Sequence, residues 1–454
     1  MALKEEIYYN SPIFIQNILT SMYGKKLMQE RYGPEYEKKL QELRVKDRSV
    51  DYRIEQLERL NAFLLFIQEH TPYYRKLFRE HEIRLPFTSL EQLQTIPILE
   101  KETLRQQNED FLSEVDAPVR GRTGGTSGKS LQVAFMREDV QERMAHLDYF
   151  KELHGFRSGM RRASFTGRTL TAIDQKKPIF WRMNRPLNQL LLSIFHMKEE
   201  NFPAYIEELN RFRPAALDGT PTAMLEIALY LLKHDLRLDF PLIAIFPTSE
   251  TVTPEMRRLL EEAFQAPVFD QYGSSEGAPI ISECRERKLH LHHETGIIEP
   301  YGDLGEVVVT CFTTRGTPLV RYRIGDRMTL GREACTCGLN GPVIESIDGR
   351  GTSFIVSEKR GKVFEGDITT IARELPNSVL RLQVEQHALN HVTLRYIPDE
   401  QRFVPKHEKI LLREMQKLLG SSMQVTLEPV QQMKQEPNGK TLIVKQSMNR
   451  RNPS

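Results

Sequence analysis

Cysteine is scarce, tryptophan occurs once, and no long apolar run or excess of one charge is present in the 454-residue chain. The four cysteines all lie between Cys284 and Cys337. A disulfide scaffold calls for a small secreted chain, whereas cysteines clustered in a large chain point to a metal. No apolar stretch approaches the roughly 20 residues of a spanning helix. The start, Met1-Ala2-Leu3-Lys4-Glu5-Glu6, carries no signal-like apolar core. A cytoplasmic protein without a membrane span is therefore expected. Sixty-three basic residues face 61 acidic ones, a net charge of +2, which argues against a nucleic-acid partner. A loose basic run, Arg161, Arg162, Arg168, Arg182 and Arg185, reads as a solvated face or as a dock for a phosphate-bearing thiol carrier.

The length suits two domains, or one large domain with a smaller appendage. Residues 1–110 read as mostly helical: Leu57, Leu60, Leu64, Leu65 and Ile67 form an apolar stripe that stops near Thr71-Pro72. A helix is expected over about Arg137–Leu153, stopped by Gly155. Thr220-Pro221 and Thr253-Pro254 open two more, each with a cap followed by proline in the first turn. Pro267-Val268-Phe269 reads as a short strand, Glu306–Thr310 and Pro318–Arg323 as others, and Ile347–Gly351 as a boundary loop. Beyond it, Leu380–Gln386 and His391–Ile397 read as a strand pair, Lys406–Leu419 as a helix ended by Gly420, and Met423–Leu427 and Thr441–Val444 as strands. Helix–strand alternation argues for an α/β fold with chemistry at strand ends, followed by a small α+β unit.

Five segments carry chemistry. Thr123-Gly124-Gly125-Thr126-Ser127-Gly128-Lys129-Ser130 offers backbone amides, hydroxyls and one ammonium to an anion. It fails the G-x-x-x-x-G-K-[ST] pattern by one residue, since Thr123 stands where the first glycine belongs; a surface turn is the plainer alternative. Tyr272-Gly273-Ser274-Ser275-Glu276 and Tyr322-Arg323-Ile324-Gly325-Asp326 are weak alone: an aspartate can accept from two ribose hydroxyls or simply cap a turn. Cys335-Thr336-Cys337, with Cys284 and His290 upstream, makes a Cys3His set for a closed structural zinc site. Buried inert cysteines are the alternative, and His292 or His293 could replace His290. Lys440 follows a Pro-Asn-Gly turn, where most lysines are simply solvated.

In this order and spacing the segments resemble the adenylate-forming superfamily of acyl-CoA synthetases, adenylation domains and luciferases. The phenylacetate–CoA ligase family, and within it the CapK-like capsule-biosynthesis branch, is the most similar; Tyr8-Tyr9-Asn10-Ser11-Pro12, Arg31-Tyr32-Gly33 and Thr71-Pro72-Tyr73-Tyr74-Arg75 also fit that branch. The resemblance implies a large N-terminal domain of mixed β-sheets flanked by helices (1–349) and a small mobile α+β C-terminal domain (350–454). It implies that Thr123 to Lys129 hold the ATP phosphates and that Ser249-Glu250-Thr251 and Asp270-Gln271-Tyr272, with Gly273, Ser274 and Ser275, wall the nucleotide. Glu276 would hold Mg2+. Asp326 would bind the ribose with help from Arg350, and Lys440 would contact the carboxylate and α-phosphate. The zinc ligands also resemble a metal site of this branch. Two departures stand out: the phosphate loop differs from the usual Thr-Ser-Gly-Thr-Thr-Gly-Lys-Pro, and Thr352 replaces a common hinge acid.

The implied activity is ATP-dependent conversion of a small carboxylic acid to acyl-AMP, then transfer to coenzyme A or to the phosphopantetheine of a separate carrier protein. Alternatives are transfer to an amine or hydroxyl, and a degenerate zinc-stabilised binding module. Trp181, Phe165 and Phe246 are candidates for an aromatic-acid pocket or for core. A homodimer is compatible with the sequence.

Overall fold

The computed structural model describes residues 3–122, 131–172, 175, 177–303, 305–331, 333, 335–350, 354–359, 361–364, 368, 371, 375, 378–435 and 441–447. The loop Thr123–Ser130, Thr352 and Lys440 lie outside the described residues, and only the backbone of Arg350 lies within them.

Three sheets organise the chain. The first has five strands in the order Trp181–Asn184, Gln189–Ser193, Arg162–Thr166, Ala216–Gly219 and Ala244–Pro247, parallel except for its antiparallel edge Trp181–Asn184. The helices Phe202–Phe212, Pro221–Lys233 and Pro254–Phe264 bury their apolar stripes against it. Thr253 caps the last of these, its side chain accepting from the Met256 amide at 3.1 Å. Gly219 ends its strand where a Cβ would come within 2.1 Å of the Phe165 carbonyl oxygen, so the two strand ends close up only over glycine.

The second sheet has seven antiparallel strands: Gly296–Tyr301, Glu306–Cys311, Leu319–Leu330, Val343–Arg350, Leu289–Leu291, Ile281–Glu283 and Gln271–Tyr272. The helices Tyr52–His70 and Pro72–Glu80 cover one face of it. The expected helix over Arg137–Leu153 forms with those bounds. The third sheet orders Gln424–Pro429, His391–Pro398, Val379–Ala388 and Val444–Gln446 around the helix Lys406–Leu419, and its core is drawn wholly from residues 355–444. Mixed α/β architecture with a small C-terminal α+β unit is thus the observed fold class.

Several expected boundaries move. Pro267-Val268-Phe269 forms no full strand but a single parallel bridge, Val268 to Ile245, that hands the chain from the first sheet to the second. Ile347–Arg350 is the end of a strand rather than a loop, because it pairs with the strand bearing Asp326. That strand extends to Leu330, so Asp326 lies inside it; Gly325, at φ +84°, supplies the kink just before. The last strand begins at Val444 instead of Thr441.

Candidate active site and metal centre

The parallel strand Ala244–Pro247 ends beside the bridge that leads to Asp270, so two loops meet at the carboxyl edge of the sheet, the usual place for a ligand in α/β folds. Ser249 adopts a left-handed φ of +76°, a conformation a non-glycine residue holds only when its surroundings enforce it. Glu250 follows. One carboxylate oxygen accepts from the Thr222 amide at 3.2 Å and its hydroxyl at 2.7 Å, capping the helix Pro221–Lys233, where the Thr220 side chain makes no cap bond. The other oxygen accepts from the Thr441 amide at 3.2 Å. Burial pushes the Glu250 carboxyl upward despite these bonds. Thr251 continues the loop toward the Thr253 cap. The residue after Lys440 is therefore anchored to the expected adenine wall.

Asp270 is held by its own amide, which donates to Glu283 at 2.7 Å; Glu283 is in turn paired with Arg257 at 2.8 Å. Burial, with Glu283 nearby, pushes the Asp270 carboxyl up to about 7. The Gln271 side chain donates to the Pro247 carbonyl at 3.2 Å, tying the two loops together. Tyr272 donates its hydroxyl to Asp326 at 2.6 Å, and burial together with the Asp326 charge keeps that phenol protonated. Across the sheet Asp326 stands in register with Arg350.

The turn Gly273–Gly277 is built from within. Gly277 donates to the Ser274 carbonyl and Ala278 to the Ser274 hydroxyl, both at 3.1 Å. Arg143, from the helix Arg137–Leu153, donates at 2.9 Å to the carbonyls of Gly277 and Ala278 and to the Thr313 hydroxyl. The Glu276 side chain is only 3% exposed; Lys101 donates to it at 3.2 Å and Ser275 lies at 3.4 Å. A single buried carboxylate is compatible with Mg2+, which commonly takes one or two carboxylates and completes its shell with water and phosphate oxygens. Arg143, Lys101 and Thr222 are the residues that the sequence motifs do not flag. A lone charged or hydroxyl residue in a helix carries no local pattern, and only the fold brings it to the site.

The cysteines come together as a set. Cys284 directly follows the strand Ile281–Glu283 and His290 lies within its hairpin partner Leu289–Leu291, while Cys335 and Cys337 enter ahead of the strand Val343–Arg350 that pairs with Leu289–Leu291. The four ligand atoms all lie within 4.8 Å of one another. The Cys284 and Cys335 sulfurs are 3.8 Å apart, and Cys337 Sγ is 3.4 Å from His290 Nε2. A tetrahedral ion with Zn–S bonds of about 2.3 Å separates sulfurs by about 3.8 Å, so the set fits zinc. Burial, reinforced by the neighbouring sulfurs, pushes the Cys337 thiol up to about 12, a cost that a bound cation reverses. The other two histidines face elsewhere. His292 meets Ser282 at 2.6 Å and His146 at 3.1 Å, while His293 joins Glu55 and Glu294 around the Lys46 ammonium. Cys311 is buried in the core beneath the second sheet.

Two readings that the sequence left open are resolved. Arg182 is fully buried, its guanidinium donating to Gln16 and to the Ile179 and Trp181 carbonyls, so the basic run is no continuous dock. Phe165 and Phe246 are core, and Trp181 packs partly against the same core as Phe165.

Residues 355–447 match the family model for the CapK C-terminal domain. The chain is 34% identical to Protein CapK of Staphylococcus aureus over 96% of its own length and 97% of that protein. It is 24% identical to a phenylacetate-coenzyme A ligase of Thermus thermophilus, covering 85% of this chain and 94% of that one. Its fold is similar to that of 2-hydroxyisobutyryl-CoA ligase in complex with 2-HIB-AMP, with a TM-score of 0.66 at 18% identity over 83% of this chain and 86% of that one. Among the described residues no helix is long and apolar enough to cross a membrane. On this identity and coverage, the chain belongs to the CapK-like branch of the adenylate-forming ligases.

Proposed function

We propose that the protein activates a small carboxylic acid with ATP and passes the acyl group to a thiol. The carrying observation is that three separate stretches are joined around one wall: Gln271 donates to the Pro247 carbonyl at the loop bearing Glu250, Tyr272 donates to Asp326, and the Thr441 amide, next to Lys440, donates to Glu250. The relatives named as coenzyme A ligases support the reaction type.

In the first step an oxygen of the substrate carboxylate bonds to the α-phosphorus of ATP, and the bond to the β-phosphate oxygen breaks, releasing pyrophosphate. Tyr272 and the strand kink at Gly325 fix Asp326, which would accept from the ribose hydroxyls. Arg143 fixes the turn that presents Glu276. Mg2+, held by Glu276, would neutralise charge on the phosphates. Thr123 to Lys129 and Lys440 would supply further donors as charge develops. No protein nucleophile is needed. In the second step a thiolate attacks the acyl carbonyl and AMP leaves, the thiol proton passing to solvent.

The two units, 1–349 and 350–454, would reorient about Arg350–Thr352 between the steps; the separate core of residues 355–444 supports that division. The zinc is structural, because four protein ligands leave no open position. ATP–pyrophosphate exchange against a panel of aryl, fatty, hydroxy and amino acids tests the proposal, followed by product analysis with thiol, amine and hydroxyl acceptors. Strong exchange with one acid and a thioester product is expected. Absence of nucleotide binding would overturn the reading.

A further inference from the structure

Lys101 stands on no motif, yet its ammonium pairs with the buried Glu276 carboxylate. Its placement is built into the fold. Leu99, two residues before it, is buried and forms a parallel bridge with Tyr322, the Leu99 amide donating to the Arg321 carbonyl and the Arg323 amide to the Leu99 carbonyl, each at 3.0 Å. This short pairing fastens the segment Ile98–Lys101 to the same strand that carries Asp326 four residues further on. The short helix Lys101–Gln106 then turns away, leaving the Lys101 side chain pointing at Glu276.

The two partners differ in exposure. The Glu276 side chain is 3% exposed and that of Lys101 is 32% exposed. A carboxylate so far out of water needs a counter-charge, whereas a lysine one-third in solvent keeps the freedom to swing on its flexible four-carbon stem. An Mg2+ held by one carboxylate takes its remaining ligands from water and phosphate oxygens. The phosphates would then lie beside the same carboxylate that Lys101 touches.

We infer that Lys101 is a phosphate-binding lysine that neutralises Glu276 in the nucleotide-free enzyme and transfers its ammonium to the polyphosphate of ATP when Mg2+ takes Glu276. The inference rests on the reading of Glu276 as the magnesium carboxylate. Lys101 and the metal therefore compete for Glu276 before ATP binds and cooperate on the phosphates afterwards. Removing the ammonium should accordingly shift two affinities in opposite directions.

The test uses full-length Lys101→Met and Lys101→Arg with the zinc in place. Mn2+ serves as the probe of the magnesium position, titrated without nucleotide and followed by its EPR signal; nucleotide binding is measured separately by calorimetry with Mg2+ and ATP. Lys101→Met should bind Mn2+ about tenfold more tightly, since a positive charge close to the ion is gone, and adding Glu276→Gln should abolish that gain. The same Lys101→Met protein should bind ATP with Mg2+ about tenfold more weakly, and Lys101→Arg should keep most of that affinity. A Lys101→Met protein whose two affinities both fall, or both stay as in the wild type, overturns the inference while leaving the nucleotide site standing. A wild-type protein that binds no ATP overturns the proposed function itself.

Discussion

Arg381 reaches out of the C-terminal core to a carboxylate in the other unit: its side chain, 7% exposed, donates to Glu226 on the helix Pro221–Lys233, itself 15% exposed. With the Glu250–Thr441 hydrogen bond it ties the last sheet to the first. Burial raises the Glu226 carboxyl above its usual range, partly offset by Arg381.

Removing Arg381 leaves a buried carboxylate with no counter-ion. Breaking such a pair from one side costs about 3–5 kcal/mol. Because the raised carboxyl of Glu226 takes up a proton more readily than a free one, the loss should grow as the pH rises and shrink in acid. Arg381→Ala should therefore separate urea unfolding into two steps, the C-terminal unit melting first, and Glu226→Gln should do so less. Single-step unfolding unchanged in both variants would show that the pair adds nothing to the junction.

Asp326 depends on Tyr272 for one short hydrogen bond. A hydrogen bond to a charged group contributes about 1.5–3 kcal/mol. Tyr272→Phe should weaken ATP binding by roughly ten- to a hundredfold and, because the same bond is lost from the fold, lower the melting temperature by a few degrees. Calorimetric titration with ATP reads the first, and thermal unfolding checks the second. Unaltered ATP affinity would remove Asp326 from the ribose position.

Lys440 is expected to act in one half-reaction only. Lys440→Ala should depress pyrophosphate exchange by about a hundredfold or more, while thioester formation from supplied acyl-AMP stays within a few fold of the wild type. Equal losses in both steps would contradict the proposed reorientation about Arg350–Thr352.

The cysteine geometry predicts one zinc per chain. Cys335→Ser or Cys337→Ser should lower the zinc content measured by mass spectrometry and the melting temperature with it. Cys311→Ala, in the core and away from the cluster, should keep the zinc while losing stability through the cavity it leaves. Zinc retained by both serine variants would rule out the assigned set.

What the sequence shows in advance is what repeats locally or sits in a recognisable run. The helix Arg137–Leu153, a helix-like run with a glycine stop at Gly155, forms as expected, although much of the face it buries is polar, including Asp139, Gln141, Glu142 and Asp148. The runs around Asp270, Glu276 and Asp326 are legible as motifs, although their convergence is not. The stretch Ile347–Arg350 looks like a glycine-bearing loop and becomes strand because Arg350 pairs with Asp326, a partner 24 positions away that no local rule reveals. Arg143 and Lys101 stay hidden for the same reason: their roles exist only once the turn Gly273–Gly277 is folded against them. His290 is one of three nearby histidines in sequence, and it is distinguished only when strand pairing turns it toward Cys337 while His292 and His293 find other partners.

Asp270 should make stability fall as the pH rises from about 4 to about 7. Its folded carboxyl holds a proton to about pH 7, whereas the ordinary value is 3.8. Folding takes up a proton between those values, so the stabilising share of Asp270 is fully present below about pH 4 and is lost as the pH climbs to about 7. Above that range the charged form must sit buried beside Glu283. Asp270→Asn removes the charge and leaves an acceptor for the Gln271 amide. The variant should match the wild type near pH 4 and exceed it in melting temperature at pH 8, flattening the wild-type decline between the two. Parallel melting curves for both proteins across pH 4–8 would mean that Asp270 titrates normally and that its burial is relieved by water or by motion of the loop.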